Sequence, residues 1–234
     1  RRYALFTSER RVHAVLDRVR PDVLEGSSPW GGGRFAATWP HARARAFVFH
    51  QDPVAALAHP LLDRAVPRDR IDRLASPLWR WLRRLAGRYD RTVVAGRWLA
   101  ERLRGFGIAN AVAVPFGVDP APFRAARRDE GRRRAWLARA GLEPEAALLV
   151  AVSRHHPEKR LPCLIEAVRR LDRPAALVVF GDGPARRAVE RAAGSEPRVM
   201  LAGYTRDRDE LAQDLASADA FLHGSAAETF GLVV

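Results

Sequence analysis

The stretch Ala147-Leu148-Leu149-Val150-Ala151-Val152-Ser153, followed by Arg154-His155-His156-Pro157-Glu158-Lys159-Arg160, decides how this chain is read. An uncharged aliphatic run of this length predicts a strand buried on both faces, as in a parallel sheet. Behind it, Leu161, Leu164, Ile165, Val168 and Leu171 recur at helical spacing. A strand, a polar turn and a helix therefore follow one another without a break, and the same unit repeats on either side.

Working outward, short apolar runs predict strands at 22–25, 46–50, 92–95, 111–115, 147–153, 176–180, 198–202 and 219–223. Helical patterns separate them. Ser8 is placed to cap a helix whose apolar face is Val12, Val15, Leu16 and Val19. Pro184 stands where a first helical residue tolerates proline. Strands alternating with helices in this rhythm make an α/β protein with parallel sheets covered on both faces. After Val114-Pro115 come a turn, Phe116-Gly117-Val118-Asp119-Pro120, and a charged stretch over 124–139 before the next apolar strand. That interruption predicts two domains, 1–120 and 121–234, rather than one eight-stranded sheet.

With 234 residues and 47% hydrophobic content, the chain can fill two modest cores. It has no apolar run long enough to span a membrane. The opening Arg1-Arg2-Tyr3-Ala4-Leu5 carries no apolar segment of signal-peptide length. A lone Cys163 excludes an internal disulfide and a multi-cysteine metal site, which agrees with a reducing, cytoplasmic setting. Its plain reading is a small buried hydrophobe at the start of a helix. The net charge of +13 comes from arginines spread along the whole chain and mixed with acids, not from a basic tail. Nucleic acid is therefore not the expected partner. Lys159 is the only lysine among the 40 basic residues, and a compact ammonium does what a guanidinium does not.

In open parallel sheets ligands sit beyond the carboxyl ends of the strands. After the strand at 147–153, Arg154, Lys159 and a helix amino terminus all favour an anion such as a departing diphosphate. A cation ~4 Å from one phosphate charge contributes roughly 4 kcal/mol at an effective dielectric near 20. An ordinary solvated loop in an arginine-rich chain is the alternative. After the next strand, Gly181-Asp182-Gly183 permits either a close approach to a ligand or a tight turn with none, and it lacks the dinucleotide spacing. After the last strand, Glu228 precedes a helix start whose amides, from Phe230 on, can hold a phosphate or sugar oxygen, or it is only a cap. His50 ends a strand, where a structural imidazole is the commoner case. Gly26-Ser27-Ser28-Pro29-Trp30-Gly31-Gly32-Gly33 lines an acceptor site or is a flexible loop. Leu78, Trp79, Trp81, Leu82 and Leu85, interleaved with Arg80, Arg83 and Arg84, make a basic amphipathic helix. Core packing and peripheral membrane contact both suit it.

The order PFGVDPAPF, AVSRHHPEKRLPCLIEAVRRL, LVVFGDGP, then VMLAGY and FLHGSAAETFGLVV resembles family 4 of the retaining GT-B glycosyltransferases. The likeness is strong over roughly 90–234 and looser upstream, at the strand ending in His50. It implies two Rossmann-like domains facing a cleft, both incomplete here, the first on the acceptor side and the second binding the nucleotide sugar. It implies that Arg154 and Lys159 grip the diphosphate and that Glu228 contacts the donor sugar as first acid of an E-x7-E element. It assigns Gly181, Asp182, Gly183, Thr229, Phe230, Gly231 and Leu232 to donor binding. Tyr204 falls where the family meets the base, and His50 matches its active-site histidine. No metal or cofactor is implied, since cations stabilise the leaving group. The donor would be a GDP- or UDP-sugar, GDP-mannose by likeness to bacterial mannosyltransferases. The acceptor is a lipid, a glycan or a small molecule, and a peripheral place on the inner membrane face suits the first of these. The second acid would fall two positions past Val234, so the chain as it stands is expected to be inactive while a longer parent transfers sugar. A basic binding protein for anionic lipid or nucleic acid and a sugar-nucleotide epimerase remain the other readings.

Overall fold

In the computed structural model, which describes residues 7–62, 65–117 and 119–225, eight strands pair in parallel into two sheets. One compact unit reaches to Phe116 and the other starts at Gly117.

The first unit runs α1 (Glu9–Val19), β1 (Val23–Gly26), α2 (Gly31–Thr38), β2 (Ala44–Val48), a π-helix (Val54–Ala58), α3 (His59–Leu62), α4 (Arg68–Leu74), α5 (Ser76–Ala86), β3 (Arg91–Val94), α6 (Arg97–Gly105) and β4 (Ala111–Ala113). Its sheet has the order β1-β2-β3-β4. Phe47 and Phe49 face a core shared with Val94, Leu99 and Leu103 and with Trp79, Leu82 and Leu85 of α5. Burial of each large apolar side chain stabilises by about 1.5–3 kcal/mol. The apolar side of α5 is thus spent on packing, and Arg80, Arg83 and Arg84 stay exposed. Ser8 does cap α1, its hydroxyl accepting from the Arg11 amide at 3.4 Å. The predicted apolar face of that helix is only partly covered, because Val15 and Val19 are exposed.

The second unit runs a 3₁₀ turn (Ala125–Arg127), α7 (Glu130–Arg139), β5 (Ala147–Val152), a 3₁₀ turn (Pro157–Lys159), α8 (Leu161–Arg169), β6 (Ala175–Phe180), α9 (Arg186–Ala193), β7 (Val199–Gly203), α10 (Arg208–Ser217) and β8 (Ala220–Phe221). The sheet order is β7-β6-β5-β8. Every residue of β6 is buried, as a central strand covered on both faces requires. Alternate residues divide between two cores. Leu148, Val150, Ala176, Val178 and Phe180 pack with Leu137 of α7, while Ala151, Leu177 and Val179 pack with Leu161, Ile165 and Val168 of α8 and Val189 of α9.

Two local readings need correction. The helix after β6 begins at Arg186, because Pro184 and Ala185 form a turn first. Cys163 is exposed, since α8 turns Leu161, Ile165 and Val168 inward and residue 163 lies on the opposite side. No helix among the described residues is long and apolar enough to cross a membrane.

The edge strand β8 is stapled by charge. Arg133, buried on α7, donates to Asp219 at 2.8 Å and to the carbonyls of Pro144 and Ala146 at 2.6 and 2.7 Å. Asp219 also accepts from the Leu148 amide at 2.8 Å and from Arg128 at 3.0 Å. Burial raises the Asp219 carboxyl, but these donors outweigh it and bring it from the ordinary 3.8 down to about 2. A depressed carboxylate stabilises the fold fully above its unfolded pKa, and that contribution fades as pH falls from about 4 through about 2. Allowing for its partial exposure, about 1–2 kcal/mol is at stake. Urea midpoints of wild type and Asp219→Asn should therefore differ at pH 5 and converge towards pH 2. Parallel curves across that window would remove Asp219 from the acid response.

Candidate functional site

Because all four strands of the second sheet are parallel, their carboxyl ends share one edge. Along it stand Tyr204 after β7, Gly181–Gly183 after β6, Arg154 after β5 and Gly224 after β8. The chain leaves β5 towards β6 on one side and returns to β8 on the other, so the β5/β8 junction is a topological switch point. Such junctions open a crevice for ligands. Here Ser153, Lys159, Leu161, Leu164, His223 and Gly224 line a closed gap at that junction, too tight for a water-sized molecule.

Local sequence shapes this junction. Pro157 starts the 3₁₀ turn ending at Lys159, and Arg160 takes a left-handed conformation (φ 49°) that swings the chain into α8. Lys159 therefore sits between the strand end and the helix start. The β8 loop closes against it, for a Cβ on Gly224 would come within 2.8 Å of the Lys159 carbonyl oxygen. Arg154 is exposed, with Nη2 3.8 Å from Oε1 of the buried Glu158. His156 Nδ1 lies 3.5 Å from the same oxygen. At such a distance, and with the Arg154 end in solvent, the pair is weak, so the guanidinium can turn to a bound anion.

His155, which the sequence reading passed over, is 2% exposed, and neither ring nitrogen has a hydrogen-bond partner. Burial pushes its pKa down; Asp182 opposes the shift and Arg186 adds to it. His155 ties its loop to the turn before α9 through its backbone. Its amide donates to the Asp182 carbonyl and its own carbonyl accepts from Ala185, both at 2.9 Å.

The glycines after β6 answer to the same packing. Gly181 (φ 119°) places its Cα where a Cβ would meet the Ser153 carbonyl at 1.9 Å, and a Cβ on Gly183 (φ 157°) would meet that of His155 at 2.6 Å. They let two strand-end loops touch, which is a sufficient reason for both without a ligand. Asp182 serves the turn, accepting from the Gly183 amide at 2.7 Å and pairing with Arg186 at 3.4 Å. Tyr204 is 72% exposed at the outer end of the edge. Glu228, Thr229, Phe230, Gly231 and Leu232 lie outside the described residues.

His50 belongs to the first unit. Phe49 continues the ladder of β2, its amide donating to Val93 at 2.8 Å, and exposed His50 follows it at the carboxyl edge. Two residues on, Asp52 is 1% exposed. Its Oδ1 accepts from the amides of Val54 and Ala55 at 2.8 and 2.9 Å, starting the π-helix, and its Oδ2 accepts from Arg102 Nε. Arg102 also grips Asp72 with two bonds, at 3.0 and 2.8 Å, and Asp72 meets His59 Nε2 at 3.1 Å. This clamp on the His50 loop was not foreseen. The only local sign was an aspartate just before Pro53, a common way to open a helix.

Among the described residues no group of three or more His, Cys, Asp or Glu side chains is placed to hold a metal ion.

Residues 1–122 match the family described as Glycosyltransferase Family 4, and residues 146–234 that described as Glycosyl transferases group 1. A GDP-mannose-dependent alpha-(1-6)-phosphatidylinositol dimannoside mannosyltransferase of Mycobacterium tuberculosis is 32% identical over 228 residues, covering 94% of this chain and 55% of the relative. The Sulfoquinovosyl transferase SQD2 of Arabidopsis thaliana is 31% identical, covering 96% of this chain and 42% of the relative. The chain thus spans about half the length of the curated relatives it matches. Among solved structures, Anabaena HepE in complex with UDP and glucose superposes with a TM-score of 0.68 at 18% identity, over 97% of this chain and 58% of that one. Sucrose-phosphate synthase from Thermosynechococcus elongatus gives 0.67 at 16%, over 96% and 55%. At such identities the likeness shows the fold, two Rossmann-like parallel-sheet domains of the kind typical of GT-B proteins.

Proposed function

The chain belongs to the family 4, group 1 glycosyltransferases, and on that premise we propose that it is the donor-gripping and acceptor-facing part of a retaining transferase that uses a nucleotide diphosphate sugar. The observation that carries this is the place of Lys159, the only lysine of the chain, beside the β5/β8 switch point, with Arg154 on the same edge. As the bond between the anomeric carbon and the phosphate oxygen breaks, the acceptor hydroxyl oxygen bonds to that carbon. Its proton passes to the leaving diphosphate, on the face the donor departs from. Charge grows on the diphosphate during this step, so cations placed for the broken bond lower the barrier.

In this reading the second unit holds the donor, with Tyr204 beside the base and the 228–232 segment on the sugar and phosphate. The first unit receives the acceptor, and His50 serves the reacting sugar. GDP-mannose is the proposed donor, because the mycobacterial relatives are named for it. The reaction needs no metal, its cations being side chains. A cytoplasmic enzyme that meets a lipid-borne acceptor at the membrane face suits the basic surface.

A thermal-shift panel of GDP-, UDP- and ADP-sugars on the complete protein tests this. At a hundredfold excess over Kd, a bound donor stabilises by about 2.7 kcal/mol, or about 5–10 °C in Tm for a domain of this size. GDP-mannose should produce that rise. An equal rise with heparin and with every nucleotide, vanishing with salt, would instead mark a general polyanion binder.

A further inference from the structure

Trp30 is the one large apolar side chain held in solvent on the loop that links β1 to α2, among the described residues. It is 58% exposed. One face of its ring stacks on Trp81 of α5, with centroids 5.3 Å apart and planes at 24°. Trp81 in turn packs against the first unit's core. The outer face is left to solvent, backed by a second indole.

The loop that carries it is pinned, not loose. The Gly33 amide donates to the Ser28 carbonyl at 3.0 Å, Arg34 to that of Trp30 at 3.0 Å, and Trp30 to Ser28 Oγ at 3.3 Å. Tyr89 donates its hydroxyl to the Gly33 carbonyl, so tightly that a Cβ on Gly26 would fall 2.1 Å from the Tyr89 oxygen. A rigid aromatic surface loses little entropy when it binds. β1 and β2 are adjacent and parallel, with Gly26 opposite Phe47. Trp30 and His50 therefore follow neighbouring strands at the same carboxyl edge, with strands about 4.8 Å apart.

We propose that the Trp30 face is a stacking platform for a pyranose ring of the acceptor, so that the acceptor is already a glycoside and the enzyme extends a sugar chain. A pyranose has an apolar C–H face and a rim of hydroxyls. The flat indole offers the first its match, and Ser27, Ser28, Gly31 and Gly32 flank it along the chain, with Pro29 the only other apolar residue of the loop. A membrane-inserting loop would need several apolar residues together. This inference rests on the transferase reading for the word acceptor, but not for the binding of a sugar.

The test follows the six indole N–H signals of the isotopically labelled chain by NMR while mannobiose is added. The Trp30 signal should move saturably and the buried Trp39 and Trp79 signals should stay. Trp30→Ala should abolish the remaining shifts at Trp81, and Trp30→Phe should restore part of the binding. In the complete protein, Trp30→Ala should raise acceptor KM about tenfold, leaving donor KM and acceptor-free donor hydrolysis unchanged. A Trp30 signal indifferent to mannobiose overturns the proposal, as does one that answers only to GMP or only to phosphatidylglycerol vesicles. Unchanged acceptor KM in an active Trp30→Ala enzyme overturns it too. If no nucleotide sugar is turned over at all, the transferase reading fails, while the NMR titration still decides the platform.

Discussion

Replacing Lys159 by alanine is expected to lower kcat/KM for the nucleotide-sugar donor by about two to three powers of ten, measured on the complete protein. Lys159 stands at the β5/β8 junction, placed there by the short turn from Pro157 and the left-handed Arg160. A bound diphosphate would gain charge within reach of it as the sugar leaves, so the loss should fall mainly on kcat. Lys159→Arg keeps the charge on a wider, planar head and should recover only part of the rate. Arg154→Ala should be milder. That guanidinium is exposed and starts the reaction beside Glu158, so part of its attraction to phosphate is offset. Should Lys159→Ala retain kcat/KM within about threefold of wild type, leaving-group stabilisation at this junction would have to be abandoned.

Why the strands were legible while the first unit's polar clamp was not follows from the range of each signal. A central parallel strand is apolar along its whole length, and β6 shows this at every residue. Such a run can be read locally. The ends were less legible, because ladder bonds to neighbours set them. The run at 111–115 pairs only over Ala111–Ala113, and the run at 219–223 only over Ala220–Phe221. Pro184 shows the same limit, since a proline suited to a helix start can also occupy a turn just before one. Cys163 was misread for want of phase. Only after α8 is seen to bury Leu161, Ile165 and Val168 does residue 163 fall on the outer side.

The candidate site divides in the same way. Strand-end positions follow from the alternation of strands and helices, so Arg154, Lys159, Gly181 and Tyr204 were found on one edge by counting. Their partners were not. The close contact of Gly181 with the Ser153 carbonyl joins residues far apart in the chain, and no spacing rule connects them. His155 was invisible for a different reason. Next to an arginine and another histidine it looks like one more polar loop residue, although it is almost wholly buried.

Arg102→Ala is expected to destabilise the first unit by about 3–5 kcal/mol, because it strands two carboxylates that were folded around one guanidinium. Asp52 is 1% exposed, and Asp72 and Arg102 are each 17% exposed at the side chain. Burial raises the Asp72 carboxyl, but Arg102 and then His59 outweigh it and hold it below the usual carboxylate range. The Arg102 guanidinium lies 5.0–5.8 Å from the ring centres of Trp79, Trp98 and Phe106, an apolar setting that strengthens the charge interactions. Removing the cation alone should therefore be worse than removing all the charges. Arg102→Met combined with Asp52→Asn and Asp72→Asn should recover much of the loss, with the side-chain oxygen at position 52 still accepting from the amides of Val54 and Ala55. The same ordering should appear in acid. A carboxylate depressed in the fold supports it above its unfolded pKa, so wild type should lose stability as pH falls below about 4, and the triple variant should lose less. Chemical denaturation of the three proteins at pH 7 and pH 3 checks both points. If Arg102→Ala unfolds within about 1 kcal/mol of wild type, Asp52 and Asp72 are satisfied without it, and the His50 loop is held by its backbone alone.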